Sequence, residues 1–244
     1  MDLNSVMVAV PTYNERENIS ELCRRLSETM PNSDILIIDD NSPDGTAEEV
    51  NRISGTIPNV RLLVRQTKCG IGSAHKAAFR EAHRSGANIL VTLDADLTHN
   101  PEDIPRLIVA LQDADVVVGS RFASSGGLQD WVLMRRFITH LGHFATRVLL
   151  QVPFDATGAM RAYRLGVLTS KISVVPISDG YPFLYQSLTW LIRNGTSVAE
   201  IPIILTSRTY GSSKMKFRDV YLGIIGLFWF AIWHRTLFRR EYEI

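Results

Sequence analysis

One pattern constrains this chain more than any other: short apolar runs alternate with segments of helical periodicity. The runs are Val6–Pro11, Ile35–Asp39, Val60–Val64, Ile89–Asp94 and Asp115–Gly119. Between them, helical spacing covers Glu15–Thr29, Thr46–Ile53, Gly72–Ser85 and Pro101–Leu111. Each run is nearly continuous in apolar residues, as expected of strands covered on both faces. Strand–helix alternation of this kind predicts an α/β domain with a mainly parallel central sheet. A length of 244 residues, 45% hydrophobic, suffices for one large domain of that class. Asn14, with Glu17 three residues on, reads as a capping-box variant opening the first helix.

In such sheets ligands collect outside the carboxyl ends of the strands. Those ends read Pro11-Thr-Tyr-Asn-Glu15, Asp39-Asp-Asn-Ser-Pro-Asp-Gly45, Asp94-Ala-Asp96 and Gly119-Ser-Arg121. Three carry acids and the fourth an arginine, so one edge of the sheet is acidic with a cation close by. The pair Asp94/Asp96 admits three readings from its residues. Two carboxylates one residue apart can chelate Mg²⁺ or Mn²⁺, which prefer oxygen ligands completed by substrate phosphates. Asp94 to Thr98 also spell D-x-D-x-T, the nucleophile motif of haloacid-dehalogenase-type phosphatases. In those enzymes the motif ends an early strand and the acidic pair follows; here it ends the fourth run, and Asp39/Asp40 precede it. Thirdly, the acids could simply solvate a loop. A dinucleotide fingerprint in Cys69-Gly-Ile-Gly-Ser-Ala-His75 fails, because His75 stands at the third glycine position.

Other classes are disfavoured. A net charge of +1 gives no excess of basic residues for a nucleic-acid partner. Cys23 and Cys69 cannot build a disulfide framework, the first residues lack the pattern of a signal peptide, and no Cys/His cluster points to zinc. The second half is less regular. A small-residue loop (123–128) leads to a helical segment, Trp131–Leu150, bearing Arg135, Arg136, His140, His143 and Arg147. The two histidines are expected to face solvent or polar groups. A helix over Phe183–Arg193, a strand over Val198–Leu205 and a basic loop, Ser207–Lys216, follow. Tyr221–Trp233 then runs without a charge between basic flanks. As a helix it would span about 20 Å, short of the ~30 Å hydrocarbon core. It is expected to lie in a membrane interface; packing on its own domain or on a second subunit is the competing reading.

Taken in series, several stretches carry a resemblance. They are PTYNERENI (11–19), IIDDNSPDGT (37–46), KCGIGSAHKAAF (68–79), LDADLTHNPED (93–103), GSRF (119–122), GGLQDW (126–131), TGAMRAYR (157–164), DGYPF (179–183) and RTYGSSK (208–214). Together they resemble the inverting GT-A glycosyltransferases of family 2, most closely the dolichyl-phosphate (polyprenyl-phosphate) mannose synthases. The resemblance implies a single Rossmann-like GT-A domain over residues 1–216, with the C-terminal apolar helix in 217–244. It implies transfer of mannose from GDP-mannose to dolichyl or polyprenyl phosphate with inversion. UDP-glucose is the competing donor, and a catalytically silent homologue the competing class.

Residue by residue, the resemblance implies that Pro11, Tyr13 and Glu15 line the nucleotide pocket, with Ile38 and Asp40 placing base and ribose. Asp94 and Asp96 would hold Mg²⁺ or Mn²⁺, with the backbone at Ala95 near the nucleotide. Arg121, Arg208 and Lys214 would bracket the donor and acceptor phosphates, and Asp96 with these three forms the expected catalytic set. Arg135 and Arg136 would meet the lipid phosphate, although a solvated helix face is their plain alternative. For Arg121 the plain alternative is a salt bridge to Asp96. Thr98 stands where some relatives place a glutamine metal ligand and would act through water; Met160 replaces the usual phenylalanine of its motif. Partners implied are the nucleotide sugar, the lipid phosphate, a membrane surface at its cytoplasmic face, and a membrane subunit or a second copy.

Overall fold

In the first strand, β1 (Val6–Thr12), successive side chains enter different cores: Val8 and Val10 one, Met7 and Ala9 the other. Its neighbour β2 (Asp34–Asp39) does the same with Ile35 and Ile37 against Leu36 and Ile38. This period-two division is what a sheet buried on both faces requires. The computed structural model describes residues 5–123, 127–129, 131–172, 178–208, 223 and 225–233.

Helices fill both cores. The first takes α1 (Arg16–Thr29) through Ile19, Leu22 and Leu26, α2 (Thr46–Ser54) through Val50 and Ile53, and α4 (Ile104–Ala110) through Ile104 and Leu107. The second takes α3 (Ile71–Arg84) through Ala74, Ala77, Ala78 and Ala82, and α7 (Phe183–Arg193) through Leu188 and Leu191. With β3 (Val60–Val64), β4 (Ile89–Thr92), β5 (Val116–Ser120), β6 (Arg161–Arg164) and β7 (Val198–Pro202), the sheet order is β3-β2-β1-β4-β6-β5-β7. Every pairing is parallel except those of β6, which runs antiparallel between β4 and β5. The mainly parallel α/β sheet expected from the sequence is therefore present.

Strand β6 was not foreseen, and the reason is physical. Its four residues, RAYR, begin with a cation that normally marks a solvated edge, yet Arg161 is fully buried. Its guanidinium donates to the carbonyls of Leu184 at 2.9 Å and Ala156 at 2.8 Å. Carbonyl dipoles from the preceding loop and from α7, 23 residues on, thus replace a carboxylate partner, and no local pattern encodes the second.

Three local expectations need correction. The capping box at Asn14/Glu17 does not form: Asn14 adopts φ 57°, Glu15 occupies the cap position without a capping side-chain bond, and the Glu15 N–H donates to Thr46 Oγ1 at 3.0 Å. Strand β4 ends at Thr92, so the acids at 94 and 96 sit on the turn beyond it. His140 is exposed as expected but also meets Phe122 edge-on at 5.3 Å, and half-buried His143 stacks on that ring at 3.9 Å, which was not expected.

Residues 225–233 are helical. Leu227 and Ala231 are buried in the same core as Tyr185 and Leu188, whereas Phe228, Trp229 and Ile232 are exposed. One face of this segment therefore packs on its own domain; its basic flanks lie outside the described residues. Among the described residues, no helix is long and apolar enough to cross a membrane.

Helix α3 meets the segment before α7 at backbone distance. A Cβ on Gly72 would lie 2.5 Å from Ser178 O and 2.7 Å from the Phe183 Cβ. Gly72→Ala should therefore destabilise the protein by about 1–3 kcal/mol in chemical denaturation, as overpacking does. Gly142→Ala, where a Cβ meets nothing within 4 Å, should be neutral or stabilising by up to about 1 kcal/mol. Equal effects at the two sites would contradict the close junction.

Candidate active site

The carboxyl ends of β1, β2 and β4 converge on one cleft because the register aligns Thr12 with Asp39 and Ala9 with Thr92. Asp39 itself is spent on structure: fully buried, it accepts from Thr12 Oγ1 at 3.0 Å, the Ser42 N–H at 2.8 Å and Ser42 Oγ at 2.5 Å. That network closes the loop that carries Asp40 to the cleft. Asp40 accepts from Arg65 Nε at 2.6 Å and from the Cys69 N–H at 3.2 Å, tying the 65–70 loop to the rim.

Beyond β4 the chain turns back at Leu97, which has φ 60°. This turn lets Thr98 donate to Asp96 Oδ1 through its hydroxyl at 2.6 Å and its N–H at 3.2 Å. The other oxygen, Oδ2, lies 2.8 Å from Arg208. Buried His99 brings Nδ1 to within 3.4 Å of the Asp94 N–H and 3.9 Å of the Asp94 carboxylate. Burial pushes His99 down to about 4 despite the pull of Asp96, so near neutrality its Nδ1 accepts rather than donates. Asp94 is pushed up to about 7, first by its desolvated setting and then by the neighbouring charge of Asp96; Arg208 and Arg121 only partly offset this.

Ligand atoms of Asp94, Asp96 and His99 all lie within 4.8 Å of one another. After burial, the charge of Asp96 is the next cause that raises Asp94, and a dication would relieve that repulsion. Two hard oxygen donors open to a phosphate-sized cleft fit Mg²⁺ or Mn²⁺. Asp94 and Asp96 would hold such an ion, and His99 Nδ1 lies close enough to Asp94 to orient it or to add a nitrogen ligand.

Two cavities meet here. The first, about 330 Å³, is lined by Pro11, Tyr13, Glu15, Asp40, Lys68 and Ala95, among others. The second, about 470 Å³, is lined by Arg121, Trp131, Met134, Arg135 and Ile138, among others. Ile71, Asp94, Asp96, Tyr181 and Arg208 line both.

The structure thus gathers most of the residues singled out in the sequence, with three departures. Ile38 is fully buried in the core and does not line either cavity; its side chain supports the wall from behind. Arg121 does not pair with Asp96. It donates to Asp155 at 2.7 and 2.8 Å and to Thr157 Oγ1 at 2.6 Å. Burial opposes ionisation of Asp155, but the guanidinium prevails and holds it at about 2. Arg136 is exposed and lines neither cavity, whereas Arg135 lies over the Trp131 ring at 3.9 Å. Lys214 lies outside the described residues. His99, Asp155 and Lys68, whose Nζ sits 3.8 Å from the Tyr13 ring centroid, were not singled out. For His99 the signal was its position directly after D-x-D-x-T; for Asp155, 34 residues from its partner, there was none.

A Rossmann-like sheet whose carboxyl edge presents an acid pair between a nucleotide-sized cleft and a second, partly apolar cavity defines a GT-A-type transferase domain. Residues 7–170 match the family profile "Glycosyl transferase family 2", and the chain belongs to that family. It is similar to the undecaprenyl-phosphate mannosyltransferase of Micrococcus luteus, 37% identical over 211 residues covering 86% of this chain and 87% of that protein. It is 40% identical to the polyprenol monophosphomannose synthase of Mycolicibacterium smegmatis over 214 residues, 86% of this chain and 80% of that one. Among solved structures, glucosyl-3-phosphoglycerate synthase of Mycobacterium tuberculosis with Mn²⁺, uridine diphosphate and glucosyl-3-phosphoglycerate shares the fold. Its TM-score is 0.65 at 19% identity, covering 92% of this chain and 80% of that one.

If Asp94 holds the ion, a proton and a dication would compete for its carboxylate. With its pKa raised to about 7, Mn²⁺ affinity should fall about tenfold per pH unit below 7 and level off above it. Calorimetric titration of Mn²⁺ across about pH 5.5–8.5 checks this; Asp94→Asn should bind more weakly and flatten the profile. A flat wild-type profile would contradict the assignment.

Proposed function

We propose that the protein transfers mannose from a nucleotide donor, GDP-mannose, to a polyprenyl phosphate with inversion, at the surface of a membrane. The observation that carries this reading is the shared floor: Asp94, Asp96 and Arg208 belong to both the nucleotide-side cavity and the partly apolar one. Donor diphosphate and acceptor phosphate would meet across that floor. The names of the Micrococcus and Mycolicibacterium relatives support a prenyl-phosphate acceptor and a mannosyl donor. The Mycobacterium tuberculosis structure, with Mn²⁺ and uridine diphosphate together, supports a dication beside the diphosphate. The haloacid-dehalogenase reading loses its support, since this fold and family are those of a transferase.

In this reading an acceptor phosphate oxygen attacks the anomeric carbon. The bond from that carbon to the diphosphate breaks, and its electron pair leaves with the nucleoside diphosphate. A phosphate monoester is already anionic near neutral pH, so no residue has to remove a proton from it. That agrees with His99, which lines the acceptor-side cavity but is held by burial well below the usual imidazole range and is a weak base there. Asp94 and Asp96 would hold Mg²⁺ or Mn²⁺, which when bound stabilises charge on the departing diphosphate. Arg208 stands at the boundary of the two cavities, where it can contact phosphate on either side. Arg121, fixed by Asp155, and Arg135, on Trp131, supply cations to the acceptor side, where two anions must approach each other. Pro11, Tyr13, Glu15, Asp40 and Ala95 form the nucleotide side, and the phosphate role of Lys214, outside the described residues, rests on the RTYGSSK motif alone. Residues 1–216 constitute the transferase domain and 217–244 a C-terminal segment that assists membrane attachment. The cytoplasmic face of the membrane is the surface this reading assigns.

Radiolabelled GDP-mannose incubated with polyprenyl phosphate and Mn²⁺ should pass label into organic solvent, and UDP-glucose should do so far less well. Asp96→Ala should lower that transfer by about 10²-fold or more with an unchanged far-ultraviolet circular dichroism spectrum. Lys214→Ala should lower turnover. Full activity in Asp96→Ala, or equal use of UDP-glucose, would overturn the mechanism or the donor assignment respectively.

A further inference from the structure

Helix α5 (Leu133–Leu150) carries an apolar stripe that none of the described residues covers. Thr146 and Leu150 are its only buried residues. Leu133, Met134, Phe137, Leu141, Phe144 and Val148 are all exposed, Leu133 at 79%. At 3.6 residues per turn these six fall within an arc of about 100°. Thr146 and Leu150 project to the opposite side, so the stripe points directly away from the protein body. Arg136, His140 and Arg147 line one flank of the stripe at the same spacing, and the helix contains no acid. A solvated helix would show the reverse arrangement, with its apolar side on the body and its polar side outward.

The stripe is also continuous with the second cavity. Met134 and Ile138 line that cavity and are at the same time 67% and 39% exposed; Val132, just before the helix, is 74% exposed and lines it too. A path of apolar side chains therefore runs from the Asp94/Asp96 floor, past Arg121 and Arg135, to the outer surface of α5.

We infer that α5 is the element that seats the protein on a bilayer, lying parallel to the membrane with its stripe among the acyl chains and Arg136 and Arg147 among anionic headgroups. This goes beyond the C-terminal segment as anchor and rests on the proposed lipid-phosphate acceptor. The prenyl chain then leaves the cavity between Met134 and Ile138 directly into the bilayer, while its phosphate remains at the arginines. Charge favours a membrane over a second copy of the chain: two such helices facing each other would bring their arginines together with no acid on either to neutralise them. A helix of this length with basic flanks and no charge on its outward face suits an interfacial position rather than a crossing one.

The test is sedimentation of the full chain with vesicles of phosphatidylcholine containing or lacking phosphatidylglycerol, for the wild type, Phe137→Glu/Leu141→Glu and Arg136→Gln/Arg147→Gln. The glutamate pair should lower vesicle partitioning by about tenfold or more, while Mn²⁺-dependent GDP binding, read by calorimetry, stays unchanged. The glutamine pair should remove the preference for anionic vesicles and leave residual binding to neutral ones. Unchanged partitioning of the glutamate pair would overturn the proposal and return the anchor to the C-terminal segment. A wild type that ignores vesicles but dimerises, with the glutamate pair monomeric, would assign the stripe to a second copy instead. A wild type that binds vesicles through α5 yet transfers no sugar would sink the proposed reaction and leave this inference standing.

Discussion

Two carboxylates held close together at the edge of a buried sheet repel each other, and much of the surrounding structure exists to tolerate that repulsion. Asp96 is held by Thr98 on one oxygen and by Arg208 on the other. Among the described residues Asp94 has no comparably close cation, and its carboxyl is pushed up to about 7. The turn at Leu97, in a backbone conformation that costs a non-glycine residue energy, keeps the pair together. Strain and like charge at one spot mark a site arranged for an outside cation. Two cavities open onto the same floor because the acids stand on the turn after β4, between the sheet edge and the start of α5.

Buried cations serve two different ends around this floor. Arg161 is satisfied by carbonyl oxygens and works as a structural pin between β6, the 155–158 loop and α7. Arg121 pairs with Asp155, so its position is fixed while its charge still faces the second cavity. The pairing holds the guanidinium in place, which in the proposed reading would lower the entropy lost when a phosphate arrives. By contrast, Arg208 is paired to the very carboxylate a dication would take, so in the proposed reading the ion would compete with that pair.

Much of this was legible in the residues. Continuous apolar runs such as Val6–Pro11 and Ile35–Asp39 became doubly buried strands almost to the residue, because burial on both faces leaves a signal that needs no context. The strand-end acids could be located because the carboxyl edge of a parallel sheet is a fixed place for ligands. What escaped were contacts of long sequence separation. Strand β6 reads as a charged tetrapeptide until the carbonyl of Leu184, 23 residues on, is beside it. Ile38 looked like a pocket residue because its neighbours are; strand parity turned it into the core. Arg135 and Arg136 are adjacent letters, but a helix separates adjacent residues by about 100°, so the cavity admits one and not the other.

Hydrophobic periodicity and the order of the strand-end motifs by themselves determined the class of fold, the edge that carries the chemistry and the acids at its centre. Those properties follow from which residues are apolar and how far apart they stand, and a linear chain records both. Only tertiary structure decided that Arg121 answers to Asp155, that His99 backs the acid pair, and that α5 turns its apolar side outward. Each depends on what lies opposite a side chain in space. The sequence carries the residues of a contact but not the partner that meets them.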